Sequence, residues 1–481
     1  MNAPILKLFG VFLALFGALA ALTSWNTVLN ADAYRDNALN KRGLLAEQRI
    51  GRGTIRARDG ELLARSVRRG GGEAGLYERR YTGAALQFAH AIGYDYPLGI
   101  GRAGLERSRN DELIGQRNEI VSLLDELRGK RQVGDDVTTN LDPAAQRVAI
   151  GALAGRRGAV VAIEPATGKV RAMASTPGYD PRELDSERRV SQLNGDEANA
   201  PLVNRATQSG FPPGSTMKVV TAAAALDSGK FTPESIVDGS SPKQISGVPL
   251  ENFGQRDFGP ITLTAALTNS VNTVWAQVAE RLGRKTLDDY MRRFGFYEDP
   301  PLDYPDGQLI PSGIYAERGL IEASSRSVDI GRVGIGQERL RVTPLQMAIV
   351  AATVANGGVL VAPRLTDRVV DRDGRLVEDI RTVEGSRVMK AATARALNEM
   401  MGNVVREGSG TAAALAGIDV AGKTGTAELN LRGLNQPWFI GFAPQRSPRV
   451  AVAVTIQNVQ GGQGGVVAAP IAKAVMAELL R

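Results

Sequence analysis

Three short motifs carry residue types suited to acyl-transfer chemistry. Ser215-Thr216-Met217-Lys218 sets a hydroxyl three residues ahead of an amine. It is reached through Phe211-Pro212-Pro213-Gly214 and runs into the Ala-rich stretch 219–226, which Gly229 closes, so a helix is expected to start at the serine. On a first helical turn residues i and i+3 share a face, so Ser215 Oγ and Lys218 Nζ can meet. The helix N-terminus also points backbone N–H groups and a positive dipole end at the serine. A nucleophile needs both a base within hydrogen-bond reach and a field that stabilises an oxyanion. Ser270-Val271-Asn272 supplies a hydroxyl and an amide on a polar turn between helical stretches. Lys423-Thr424-Gly425-Thr426 supplies a cation and two hydroxyls able to hold a carboxylate, and Gly425 removes a side chain where a substrate backbone could lie beside an edge strand.

Taken singly, each motif has a plain structural explanation. An N-cap serine followed by a solvated lysine is commonplace. S-x-x-K recurs at Ser240-Ser241-Pro242-Lys243, where the proline argues against a helix, and Ser24-Trp25-Asn26 matches S-x-N by accident. Lys-Thr-Gly occurs once, against about 0.1 occurrences expected by chance at this composition.

Two absences narrow the chemistry. The chain has no cysteine, which removes thiol nucleophiles, disulfides and cysteine metal sites. It has one histidine, His90, so a multi-histidine metal site is excluded and a Ser-His-Asp triad would depend on that position alone. Neither a metal nor any other cofactor is called for.

At 481 residues the chain exceeds one compact core, and 43% hydrophobic with 23% charged residues is a globular composition. The motifs sit in a unit that opens near Asp136. Asp142-Pro143 starts a helix, and the runs 158–163 and 169–175 around Glu164–Gly168 read as an antiparallel hairpin. A second hairpin, 438–442 with 450–456, lies near the other end, followed by an apolar helix from about Ala469 to Leu480. Strands at both ends, helices between and a last helix laid on the sheet predict an antiparallel α+β fold. Three segments are expected: 1–31, a cytoplasmic stub and membrane anchor; 32–135, a small, extended, β-rich domain; and 136–481, the catalytic domain. In the second, Gly99-Ile100-Gly101-Arg102-Ala103-Gly104 matches the dinucleotide fingerprint, but Pro97 sits where the preceding strand should run and no βαβ unit surrounds it.

Leu8 to Ala31 is uncharged, and its apolar part extended to Leu29 reaches the ~20 residues a spanning helix needs. The uncharged run passes beyond the cleavage-like Ala18-Leu19-Ala20, which favours an uncleaved anchor over a signal peptide. Basic residues after this segment outnumber those before it, so the positive-inside rule alone would leave the body in the cytoplasm. Large domains translocate largely regardless of that bias, so export of the body remains the expectation. Nine basic residues between Lys41 and Arg69 suit a solvated face or anionic lipid; without aromatics or a binding motif they do not indicate nucleic acid.

S-x-x-K, S-D-N and K-T-G form the motif set of penicillin-binding proteins and class A β-lactamases, and all three occur here in that order. With Arg52-Gly-Thr-Ile55, Arg58-Asp-Gly60, Gly104-Leu-Glu106, Pro201-Leu-Val-Asn-Arg205, Gly336-Gln337, Thr343-Pro-Leu-Gln-Met347, Ala355-Asn-Gly-Gly358 and Trp438-Phe-Ile-Gly-Phe-Ala-Pro444, the chain from about residue 45 resembles the class B, monofunctional penicillin-binding proteins. Its size and layout are similar to those of the short actinobacterial A-type members. Ala57 departs from an acidic residue common in the family, and Val271 replaces the middle Asp of S-D-N, which favours the larger transpeptidases over class A β-lactamase.

The resemblance implies a penicillin-binding, β-lactamase-like fold and a peptidoglycan D,D-transpeptidase, inhibited by β-lactams and working on D-Ala-D-Ala stem peptides at the cytoplasmic membrane. Ser215 would attack with neutral Lys218 as base, and Ser215 and Thr426 N–H groups would bind the oxyanion. Ser270 and Asn272 would relay the proton and hold the peptide amide, while Lys423, Thr424 and Thr426 bind the terminal carboxylate. A free lysine would need its pKa moved ~3.4 units, about 4.6 kcal/mol, to be neutral at pH 7. Repulsion from Lys423 plus burial is expected to supply this. A polytopic glycan polymerase is the implied partner. A D,D-carboxypeptidase using water, or a catalytically silent wall-synthesis scaffold, are the alternatives.

Overall fold

The computed structural model describes residues 3–25, 42–70, 75–97, 99–116, 132–383, 385–429 and 433–481. Helix α1 (Ala3–Ser24) opens the chain. Its window Pro4–Ser24 is long and apolar enough to cross a membrane, with a mean hydropathy of 2.4 and none of it buried against the protein. The helix starts before the uncharged run and takes in Lys7; the end of the expected span, 26–31, lies outside the described residues.

A short strand β1 (Ile55–Arg56), β2 (Leu62–Arg69) and β3 (Leu76–Tyr81) form an antiparallel run, followed by α2 (Ala85–Ile92), which carries His90. Strand β4 (Asp136–Thr139) joins them in parallel to β1, pairing Val137 with Ile55. Arg52, Arg79 and Tyr81 converge on the fully buried Glu106, so two of the N-terminal sequence signatures meet in one ion cluster. The glycine-rich segment rejected as a dinucleotide motif is a hairpin, with Gly101–Ala103 paired to Tyr94–Tyr96.

Helix α3 (Pro143–Leu153) starts as expected: the Asp142 side chain accepts from Ala145 N at 3.0 Å, with Pro143 at the first position. Strands β5 (Gly158–Ile163) and β6 (Val170–Thr176) form the first hairpin. The helical region holds α4 (Lys218–Asp227), α5 (Leu263–Thr268), α6 (Asn272–Leu282), α7 (Arg284–Arg293) and α8 (Pro344–Ala355). Strands β7 (Thr366–Val370) and β8 (Leu376–Asp379) then return to the N-terminal sheet, whose order is β8-β7-β4-β1-β2-β3. That sheet therefore crosses the line drawn at residue 136, because Val369 pairs with Val137 across some 230 residues of chain that local patterning does not register.

After α9 (Ala391–Arg406) come β9 (Ala421–Glu428), β10 (Leu434–Ala443), β11 (Val450–Ile456) and α10 (Ala469–Leu479). The catalytic sheet runs β9-β10-β11-β5-β6, antiparallel throughout, with β9 at one edge. Its strands are apolar on both faces because both are covered. Val161, Ile440 and Ala453 belong to the core shared with α8, while Val160, Phe439 and Val452 pack with α3 and α10. The α+β architecture is thus a helix-flanked antiparallel sheet with a helical lobe beside its β9 edge.

Candidate active site

Ser215 is not on an α-helix. It lies on a 3-10 turn, Gly214–Met217, and α4 begins only at Lys218. Thr216 Oγ1 donates to Pro213 O at 2.8 Å, which tightens this turn, and residues i and i+3 of a 3-10 turn stand nearly over one another. The approach is held from three sides. Trp438 Nε1 donates to Pro212 O at 2.9 Å, Phe211 pairs with Val342, and Gly214 N donates to Gly336 O at 3.0 Å. Gly214 takes φ +53°, and a Cβ there would lie 2.9 Å from the Thr426 carbonyl carbon. The Ser215 turn therefore rests directly on the K-T-G strand.

Gly425 has a packing reason to be glycine beside the expected one. A Cβ at that position would meet Pro213 O at 2.6 Å, so the missing side chain makes room for the protein's own Ser215 turn.

The two lysines are fully buried, and both reach Ser270. Lys218 Nζ donates to Ser270 O at 2.7 Å and Asn272 Oδ1 at 2.8 Å, and lies 3.3 Å from Ser270 Oγ. Lys423 Nζ donates to Ser270 Oγ at 2.9 Å and to Thr424 O at 3.0 Å. The direct Ser215–Lys218 bond expected from spacing is absent: the lysine's donors are taken by Ser270 and Asn272, and Ser215 Oγ makes no hydrogen bond among the described residues. Ser270 sits between α5 and α6 at φ +58°, a left-handed conformation that serines rarely adopt. This turns its carbonyl toward Lys218 while its hydroxyl reaches Lys423.

Burial pushes the Lys218 amine well below the ordinary lysine range, and the positive charge of Lys423 adds to it. Both causes expected from the sequence act here, and burial is the larger. Burial also lowers Lys423, to about 7. His90 lies far from this chemistry: it is buried against the catalytic domain, with Nε2 2.8 Å from Pro201 O and its ring edge-on to Tyr179. Burial lowers its pKa to about 4, so it stays neutral at physiological pH.

The three motifs thus meet where the helical lobe packs against β9. On the strand, Thr424 Oγ1 lies 2.5 Å from Ser409 Oγ, and Thr426 Oγ1 accepts from Gly464 N at 3.1 Å. Ser409 escaped sequence reasoning; its one sequence mark is its place between Gly408 and Gly410 after a long helix. Glu251 O, which accepts from Asn272 Nδ2 at 3.1 Å, carries no mark at all. The decoy Ser240 and Lys243 both bind Asp238 and face no nucleophile site. Among the described residues no cluster suits a metal ion.

Residues 158–477 match the family model described as the penicillin binding protein transpeptidase domain, and 52–137 the penicillin binding protein A dimerisation domain. The chain is 33% identical over 510 residues to the peptidoglycan D,D-transpeptidase PbpA of Mycolicibacterium smegmatis, covering 100% of this chain and 99% of the relative. It is 29% identical over 446 residues to the peptidoglycan D,D-transpeptidase MrdA of Escherichia coli, covering 81% and 69%. The structure of penicillin-binding protein A from M. tuberculosis in a ceftriaxone acyl-enzyme complex superposes with a TM-score of 0.81 at 31% identity, covering 91% of this chain and 100% of that one. With the Ser215 turn, two buried lysines on one serine and a K-T-G edge strand in the matching domain, this chain belongs to the penicillin-binding protein transpeptidase family.

Proposed function

We propose that the protein is a serine D,D-transpeptidase that cross-links peptidoglycan stem peptides through an acyl-enzyme on Ser215 and is inhibited by β-lactams. The observation that carries this reading is the buried Lys218–Ser270–Lys423 network beside the Ser215 turn. A neutral lysine has two N–H groups and one lone pair. In Lys218 the two short bonds, to Ser270 O and Asn272 Oδ1, occupy the N–H groups and leave the lone pair to take the Ser215 proton. Ser215 Oγ then forms the ester bond to the penultimate D-alanine as the bond to the terminal D-alanine breaks. Ser270 Oγ, 3.3 Å from Lys218 Nζ, is placed to pass the proton to the departing amine. Lys423 with Thr424 and Thr426 would hold the terminal carboxylate, and the N–H groups of Ser215 and Thr426 the oxyanion. An acceptor amine reverses these steps. Full-length protein given a D-alanyl-D-alanine peptide and an amino acceptor should release D-alanine and form the new amide. No release would refute the reading, and hydrolysis alone would mark a carboxypeptidase.

The same reading places α1 as an uncleaved single-pass anchor at the cytoplasmic membrane, with the N-terminal domain as a pedestal, the catalytic domain outside, and a polytopic glycan polymerase as partner. A reporter active only outside the membrane, fused after Arg481, should be active in cells; an inactive fusion would place the catalytic domain inside.

A further inference from the structure

Helix α6 begins with the residue that the proposed mechanism uses, Asn272, and its own N-cap position, Val271, offers no capping side chain. The first-turn N–H groups of such a helix need partners from elsewhere. Asn252, 20 residues back and only 4% exposed, supplies one: its Oδ1 accepts from Thr273 N at 3.0 Å. The rest of Asn252 is tied down just as fully. Its Nδ2 donates to Gly239 O and Arg256 O, both at 3.0 Å, and its backbone N donates to Ser241 Oγ at 3.0 Å. The neighbouring carbonyl, Glu251 O, is thereby held 3.1 Å from Asn272 Nδ2.

This contact sorts the two ends of the Asn272 amide. Oδ1 accepts from Lys218, one Nδ2 hydrogen goes to Glu251 O, and the second Nδ2 hydrogen has no partner among the described residues. Without the Glu251 carbonyl, Lys218 would hold the amide by Oδ1 alone, and the Nδ2 end would be free to swing away from the donor. We propose that Asn252 is a positioning residue for the acyl donor: it holds the Glu251 carbonyl so that Asn272 presents an N–H to the carbonyl of the substrate's amide. The inference rests on the proposed function and adds a selectivity to it, favouring donors with an acylamide beside the bond that breaks.

The test compares two β-lactams on the full-length protein: penicillin G, which carries an acylamide side chain, and imipenem, which does not. Asn252→Ala should slow acylation by penicillin G about tenfold or more, toward the ~100-fold that an ångström of misplacement costs, and change acylation by imipenem less than about twofold. In an Asn272→Ala background the same substitution should leave the penicillin-to-imipenem ratio unmoved. Equal losses for both compounds would reduce Asn252 to a scaffold residue and overturn the proposal, as would no loss for either. If Asn252→Ala does not fold, Ser241→Ala, which removes the acceptor of Asn252 N, should shift the ratio the same way; an unchanged ratio would overturn it. Failure of the wild-type protein to react with either compound would instead refute the proposed function.

Discussion

Replacing Gly425 with alanine tests how the nucleophile turn is held. The new Cβ would lie 2.6 Å from Pro213 O, 3.0 Å from Thr216 Cγ2 and 3.0 Å from Trp438 Cβ. Unstrained contacts of this kind settle near ~3.5 Å, so strand and turn must part by roughly half an ångström to one ångström. Neither side yields easily, because Pro213 O takes the Thr216 hydroxyl and the Trp438 indole is tied to Pro212 O. Overpacking of this size costs about 1–3 kcal/mol, and an ångström of misplacement at a reacting group costs up to ~100-fold in rate. Gly425→Ala should therefore lower the denaturant midpoint by an amount equivalent to about 1–3 kcal/mol and slow acylation by a fluorescent penicillin on the order of 100-fold. Wild-type stability with slowed reaction only of long peptides would return Gly425 to its expected role of making room for substrate. Wild-type stability and a wild-type rate together would refute the packing argument.

Lys218→Ala should abolish acylation while leaving the unfolding midpoint near or above wild type, since the substitution removes a buried amine; acylation at the wild-type rate would mean that another base serves Ser215. Lys423→Met should flatten the pH dependence of stability. Because burial holds Lys423 at about 7 in the folded chain, against ~10.4 in the unfolded one, the unfolded state binds more protons between those values and native stability rises with pH across that window. The wild-type denaturant midpoint should accordingly climb relative to Lys423→Met from pH 7 to pH 10, and a falling or flat difference would contradict the burial of a depressed amine.

Much of this architecture was legible where it depends on neighbours in sequence. Asp142-Pro143 marks a helix start through its own cap, and the runs around Glu164–Gly168 and before Val450 pair as hairpins because their turns are local. Short motifs singled out Ser215, Lys218, Ser270, Asn272 and the Lys423–Thr426 strand, which the structure brings together, since their spacing is itself the signal. What escaped depends on segments distant in the chain. The shared sheet joins Val137 to both Ile55 and Val369. The 3-10 turn at Ser215 answers to Gly336, Trp438 and Thr426, more than 100 residues away, so its conformation could not be read from Pro-Pro-Gly alone. Ser409 and Glu251 reach the site through tertiary contacts, and nothing in sequence announces them beyond the two glycines that flank Ser409.

The central claim is that Ser215 is the acylated nucleophile. Full-length protein incubated with penicillin G should gain the mass of one ring-opened penicillin, and peptide mapping should place it on the peptide containing Ser215, with no adduct in Ser215→Ala. An adduct on Ser240 or Ser270, or labelling that survives Ser215→Ala, would contradict the account.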